Sequence, residues 1–229
     1  MSKDAALATL LPDSLAGETS GGETERWQQR KSRETRNLAL EAALDCLAEA
    51  GYSGCSLQLV ADRAGISRGA MLHHYASKLE LMAAVIEYAF YRRMQDFLTR
   101  IRALTDEERT ERLDGVSSHY ASCSTRAYRA YLALHLASRT DPELRPIFLD
   151  RARRFGRVWR DEAAKVFPEW CDHPMLDAMN DFVCLAVEGL ALNADIWDDP
   201  ERAETMLDFI AHATHEVRAG RLALRGGKL

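Results

Sequence analysis

The sequence predicts an all-α protein of about nine helices: a three-helix N-terminal head built around a helix-turn-helix, a long connecting helix, and an all-helical body behind it. Three observations predict this. Apolar residues recur at the i, i+3, i+4, i+7 spacing of a helix face along most of the chain, and no stretch alternates as a half-buried strand does. Helix punctuation is frequent, with Ser56 and Ser67 where caps are wanted, Gly51, Gly65 and Gly220 where helices end, and Pro142, Pro174 and Pro200 at helix starts. Residues 56–75, SLQLVADRAGISRGAMLHHY, hold two short helices joined by a tight glycine-containing turn.

In chain order, residues 1–25 are rich in Ser, Thr, Gly and Ala and lack periodicity, so a flexible tail is expected. Five basic residues follow between Arg26 and Arg36, against the single acid Glu34. Of these, Arg30, Lys31 and Arg33 are candidates for contact with phosphates from a first helical turn or arm. The first helix places Leu40, Ala43, Leu44, Leu47 and Ala48 on one face and Glu41, Asp45 and Glu49 toward water. Gly51 ends it. In the helix-turn-helix, Leu57, Val60, Ala61 and Ala64 form one face, Gly65 suits a left-handed helix end, and Ser67 caps the second helix. That second helix would turn Arg68, Gly69, Ala70, His73 and His74 outward and Met71 and Tyr75 inward, as a reader of the DNA major groove requires.

Ser77 and Glu80 have capping-box spacing and open a long fourth helix to about Arg102. Thr105 and Glu108 repeat the signal for a helix to about Cys123, and residues 126–138 make the next. Asp141-Pro142 opens a helix to about Val166, and Phe167-Pro168 stops it before a loop over 169–173. Pro174 opens the eighth helix, and Asp199-Pro200 opens the ninth, which Gly220 ends.

The totals limit the functional classes. The 229 residues, 47% hydrophobic and 28% charged, are ordinary for a globular protein, and no run nears the ~18 consecutive apolar residues of a membrane span. The short apolar run Ala5 to Leu11 is flanked by Asp4 and Asp13 with no cleavage motif, so no secretory signal is expected. Five cysteines without a CxxC pair suit a reducing, cytoplasmic setting. The net charge of −5 is unevenly spread: −4 over residues 1–25, +3 over 26–78 and −4 over 79–229. The positive segment is the one carrying the helix-turn-helix, as attraction to phosphate requires. No GxSxG, HExxH, Walker or dinucleotide fingerprint is present, so an enzyme is not expected and no cofactor is implied. His119 with Cys123, and His212 with His215, have metal-like spacing but too few further ligands nearby, so no metal site is assigned.

The segments Ala50-Gly51-Tyr52, VADRAGIS over residues 60–67, Gly69-Ala70 and HYASKLEL over residues 74–81 resemble the head of the TetR family of bacterial transcriptional regulators, most strongly over residues 35–86. The resemblance implies a helix-turn-helix DNA-binding domain over 26–76 and a helical ligand-binding and dimerisation domain over 77–229. It implies a homodimeric repressor on a palindromic operator in double-stranded DNA, released by a small-molecule effector. It also implies that Arg68, Ala70 and His73 face the groove, that His74 and Lys78 meet phosphate, and that Ser56 and Gln58 lie near the backbone; Ser67 and Gly69 complete the candidate surface. Chemistry agrees for Arg68, which can contact guanine in bidentate fashion. Leu72 stands where the family usually has a phosphate-holding tyrosine, so that contact is absent here.

In the body, Phe97, His119, Cys123, Tyr128, Tyr131, His135, Phe155, Trp159 and Phe182 form a set that can line an apolar cavity with a few polar groups. An apolar or aromatic effector and a cavity of several hundred cubic ångströms (on the scale of ordinary ligand sites) are expected. Family likeness places dimerisation on the last two helices, with Leu185, Gly189, Leu192, Leu207, Ile210 and Val217 as candidate interface residues. The competing reading is an inducer-free DNA-binding protein with a protein partner or structural role, whose middle helices would pack solidly.

Overall fold

The structure is a computed structural model that describes residues 10–12, 15, 23–105, 115–166, 173–197 and 199–221. Among these, nine helices form and no strand: α1 (Glu23–Gly54), α2 (Leu57–Ala64), α3 (Arg68–His74), α4 (Lys78–Arg102), α5 (Gly115–Cys123), α6 (Arg126–Ser138), α7 (Leu144–Val166), α8 (Leu176–Trp197) and α9 (Pro200–Arg218). The all-α expectation holds.

Local chemistry sets the boundaries. Gly51 takes φ 66°, a left-handed conformation inside the span of α1, and breaks that helix where the sequence expects its end. Ser56 Oγ accepts the Leu59 N–H at 3.1 Å, capping α2. At its other end Gly65, φ 65°, lets its own N–H reach Asp62 O while the Ile66 N–H reaches Ala61 O, the paired closure of a Schellman motif. Ser67 Oγ accepts from the Ala70 N–H and opens α3. At α4, Ser77 Oγ accepts from the Glu80 N–H, and Glu80 Oε2 accepts in return from the Ala76 N–H, one residue before the cap. Asp141 Oδ1 holds the N–H groups of Glu143 and Leu144 ahead of α7, and Asp199 holds those of Glu201 and Arg202 ahead of α9. His173 Nδ1 accepts from the Met175 N–H, so α8 begins two residues later than Pro174 suggests. The capping partner Glu108 and the stop at Phe167-Pro168 lie outside the described residues.

Contacts sort the chain into two compact units that do not follow chain order: residues 1–95 with 125–158, and residues 96–124 with 159–229. Helix α6 and the first part of α7 fall in the same unit as α1, α2 and α3. In the first unit α1 packs on α2, α3 and α6. Leu40, Leu44, Leu47, Val60, Met71, Leu81, Leu134 and Leu144 are fully buried there, each contributing up to about 1.5–3 kcal/mol. Within the expected tail, Leu10, Pro12 and Leu15 are buried, and α1 begins at Glu23. Apolar side chains won over the polar composition around them: Leu10 lines a small pocket with Glu87, Phe90, Arg151 and Arg154.

Two of the acids expected to face water do not. Glu41 accepts from Arg92 at 2.9 Å and also from Tyr88 OH and Arg126, and Asp45 accepts from Arg126 at 2.8 Å. These bonds tie α1 to α4 and α6. Burial and the Glu41 hydrogen bond push the Tyr88 phenol up to about 12. The second unit consists of α5, α8 and α9 with the ends of α4 and α7; α8 packs on α9 and α5, and α9 on α5. Its buried residues include Phe97, Val116, His119, Trp159, Met179, Val187, Leu190 and Ile210.

Candidate nucleic-acid interface

Helix α3 is anchored by two side chains. Met71 and Tyr75 are buried against the head, and this turns the opposite face of the helix outward. On that face Ser67, Arg68, Gly69, Leu72 and His73 are exposed, with Ala70 and His74 half-buried. Gly69 is not demanded by the fold: a Cβ there would meet only Ser67 Oγ, at 3.9 Å. Leu72, 42% exposed, presents an apolar side chain where a phenol would have offered a hydroxyl. His74 is held below its usual 6.5 by burial first, then by the charges of Arg36 and His73.

The other candidates spread over neighbouring elements. Ser56 is exposed, and its hydroxyl caps α2. Gln58 is exposed, but its amide donates to Asp62 Oδ1 at 2.7 Å. Arg30, Lys31 and Arg33 are exposed along the start of α1, with Lys31 Nζ over the ring of Trp27 at 5.2 Å. Lys78 differs from expectation in what it touches. Its ammonium donates to Tyr52 O at 2.6 Å and lies 4.2 Å from the centre of the Tyr52 ring. A lysine at a helix start opposes the helix dipole, and the compensation is the carbonyl end of α1 just past the Gly51 break. Tyr52 in turn donates to Asp141 at 3.0 Å, which together with burial pushes its phenol up to about 12.

Of the nine anticipated pocket residues, Phe97, His119 and Trp159 line a cavity of about 100 Å³ inside the second unit, smaller than expected. Gly115, Val116, Ala163, Leu176, Met179, Asn180, Val183, Cys184 and Thr214 complete the wall. Cys123 is buried one turn from His119, with its thiol on His119 O at 3.4 Å, and does not line it. Phe182 is exposed on α8. Tyr128, Tyr131, His135 and Phe155 are in the first unit. There the space between the rings is filled: the Arg93 guanidinium lies 4.2, 5.1 and 5.5 Å from the rings of Tyr131, Tyr128 and Phe155, while His135 stacks on Phe148. Of the wall residues from α8 and α9, Met179 sits in a helical stripe that reads as plain core, and Val183 and Thr214 carry no local signal that sets them apart.

The last two helices also divide differently from expectation. Ile210 and Val217 are 2% and 6% exposed and serve the unit's own core, because the inward face of α9 meets α8 and α5. Leu207 is half-buried. The outward apolar stripe is Phe182, Leu185, Leu192 and Ile196 on α8, broken only by the exposed Gly189, with Met206 and Phe209 on α9; Leu185 is 73% and Phe209 64% exposed. The α8 positions repeat at alternate steps of three and four, the seam spacing of paired helices. Among the described residues, no three His, Cys, Asp or Glu side chains converge as a metal site. No described helix is long and apolar enough to cross a membrane.

Residues 39–85 match the family profile of bacterial regulatory proteins, tetR family. The chain is 32% identical over 122 residues to the HTH-type transcriptional regulator CymR of Pseudomonas putida, a stretch covering 52% of this chain and only 59% of that protein. Its fold is similar to that of a transcriptional regulator from Rhodococcus sp. Rha1, with TM-score 0.62 and 22% identity over 82% of this chain and 99% of that one. It is also similar to a transcriptional regulator from Saccharomonospora viridis solved in complex with choline, with TM-score 0.59 and 16% identity over 80% and 96% of the two chains. The matched head, residues 39–85, is similar to that of the tetR family of bacterial regulatory proteins, and the all-helical fold is similar to that of solved transcriptional regulators.

Proposed function

We propose that this chain is a repressor that binds a palindromic operator as a homodimer and is released by a small molecule held in the second unit. The observation that carries the DNA-reading part is the outward face of α3: Arg68, Gly69 and His73 are exposed on a helix whose other face is locked by Met71 and Tyr75. Arg68 reads a base edge, Gly69 and Ala70 let the helix come close, and His73 lies along the groove. Arg30, Lys31, Arg33 and His74 supply phosphate contacts. Ser56, Gln58 and Ser67 lie beside the backbone, and Lys78 reaches phosphate with protons left over from its bond to Tyr52.

Two copies pair through the exposed stripe of α8 and α9, with Leu185, Gly189 and Leu192 at the seam and Leu207 at its edge. Pairing presents two α3 helices to successive major grooves about 34–36 Å apart. The cavity favours effector control over the inducer-free reading, and the choline complex of a protein of similar fold shows that such a fold can hold a small molecule. Helix α4 contributes Arg93 to one unit and Phe97 to the other, so a ligand touching Phe97 acts on the helix that carries the head. The effector then shifts a population between head spacings, by as much as its affinity differs between them.

The test is selection of bound sequences from random DNA, paired with light scattering. Wild type should yield a palindrome with half-sites one helical turn apart, and Leu185→Glu should give monomers that lose binding by roughly tenfold or more. A selected site without symmetry, or an intact Leu185→Glu dimer, would contradict the dimeric reading.

A further inference from the structure

The leading turns of α1 carry a surface that α3 does not account for. The match to the family profile begins at residue 39, whereas α1 begins at Glu23, so residues 23–38 are helix ahead of the matched head. Within them Trp27 is 54% exposed, and Arg30, Lys31 and Arg33 are exposed beside it. Resting on the DNA-reading role of α3, we infer that residues 27–36 are a helical arm lying along the duplex next to the base pairs that α3 reads. Trp27 packs on deoxyribose, and Arg30, Arg33 and Arg36 meet phosphates.

Charge singles out this stretch. Four arginines of the first unit are neutralised by carboxylates: Arg63 by Glu49, Arg92 by Glu41, Arg126 by Glu41 and Asp45, and Arg151 by Glu87. Among the described residues, Arg30, Arg33 and Arg36 enter no ion pair. Their attraction is therefore available to a polyanion. Arg36, at the root of the arm, has its Nε buried with no hydrogen-bond partner among the described residues. It also stands close to the last turn of α3: burial first, and then the Arg36 charge, hold the His74 imidazole below 6.5. Like charges gathered beside a groove-facing helix gain from an anion placed between them.

The helix sets the reach. Trp27 lies nine residues before Arg36, so at ~1.5 Å per residue the arm spans about 13–14 Å, or about four base pairs at ~3.4 Å each. Trp27, Arg30 and Lys31 are neighbours at i, i+3 and i+4 on the helix surface. The Lys31 ammonium lies 5.2 Å from the centre of the Trp27 ring, within reach of its face. An indole set among cations matches the sugar-phosphate backbone, which alternates an apolar ring with a negative charge. An apolar protein surface would cover Trp27 equally well but would strip water from Arg30 and Arg33 without pairing them, at high cost.

The experiment uses the full-length protein on its selected operator, with hydroxyl-radical footprinting and with affinities measured over a range of salt. Wild type should protect the half-site together with an adjoining block of about four base pairs. Trp27→Ala should lose only the adjoining protection and weaken binding about five- to tenfold, with Tm unchanged because half of the side chain is already in water. Trp27→Phe, which keeps a ring, should recover most of that protection. Arg30→Ala combined with Arg33→Ala should reduce the salt slope by about two. Unchanged protection in Trp27→Ala, or an unchanged slope in the double variant, overturns the inference. So does a Trp27→Ala protein with wild-type DNA affinity but a lower Tm or a changed oligomeric mass, since the indole would then be covered by the chain itself or by a second copy. A wild-type protein that protects no half-site contradicts the reading head as well, whereas a protected half-site without the adjoining block overturns the arm alone.

Discussion

The two units use the same kinds of side chain to opposite ends. In the first, Tyr128, Tyr131 and Phe155 gather around a buried cation, Arg93; Phe90 stacks on Phe155, Phe148 on Tyr131, and His135 on Phe148. In the second, Phe97, Trp159 and His119 also gather, but among the described residues no side chain occupies the centre, and about 100 Å³ remains. Aromatic content with a few polar tips is therefore no signature of a binding site. What distinguishes a solid core from a receptacle is whether the chain supplies its own filler. The filled unit holds α1, α2 and α3 and the ion network of Glu41, Asp45, Arg92 and Arg126.

The largest effect that would break this comparison is removal of the filler. Arg93→Ala should cost about 2–4 kcal/mol, from the void left and the lost ring contacts, and lower Tm by about 2–4 °C per kcal/mol in calorimetry. A change under about 0.5 kcal/mol would mean that the guanidinium is a passenger among the rings, and the two clusters would then not differ as described. A smaller effect tests the surface that the filled unit presents. Gly69→Ala should leave stability unchanged or raise it by up to about 1 kcal/mol, since a Cβ there has room. The same variant should weaken operator binding in a fluorescence-anisotropy titration, because the added methyl stands between α3 and the groove. Unchanged binding would remove Gly69 from the interface.

The smallest effect concerns pH. His74 titrates below 6.5 in the free protein, so the unfolded chain holds more protons between that lowered value and 6.5. Its stability contribution is therefore complete above about 6.5 and declines as pH falls below it. A phosphate beside His74 would favour the charged form. Operator affinity should then rise modestly as pH falls from about 7.5 toward 6, on top of any background trend, and His74→Gln should flatten that part of the curve. An identical pH profile in the variant would take His74 off the phosphate backbone.

Much of the head was legible because its signals are local. Ser56, Gly65, Ser67 and the Ser77/Glu80 pair each act within a few residues, and each was found doing what its side chain permits. The inward pointing of Met71 and Tyr75 followed from helical period alone. What the sequence hid depends on contacts distant in the chain. Glu41 and Asp45 lie on a face that reads as solvated until Arg92 and Arg126 arrive from α4 and α6. Ile210 and Val217 are apolar on a helix with two apolar stripes, and periodicity cannot tell which stripe meets the protomer's own core. The same holds for Lys78, whose position at a helix start was visible but whose partner, the Tyr52 carbonyl, is 26 residues upstream.

The most direct measurement is Arg68→Ala on the selected operator, with affinities taken for the wild-type site and for each single base substitution at fixed salt. The prediction is a loss of about 1–3 kcal/mol on the preferred site, with preference relaxed at one position per half-site and retained at the others. A uniform loss across all sequences, or no change in preference anywhere, would contradict a reading head built on the exposed face of α3.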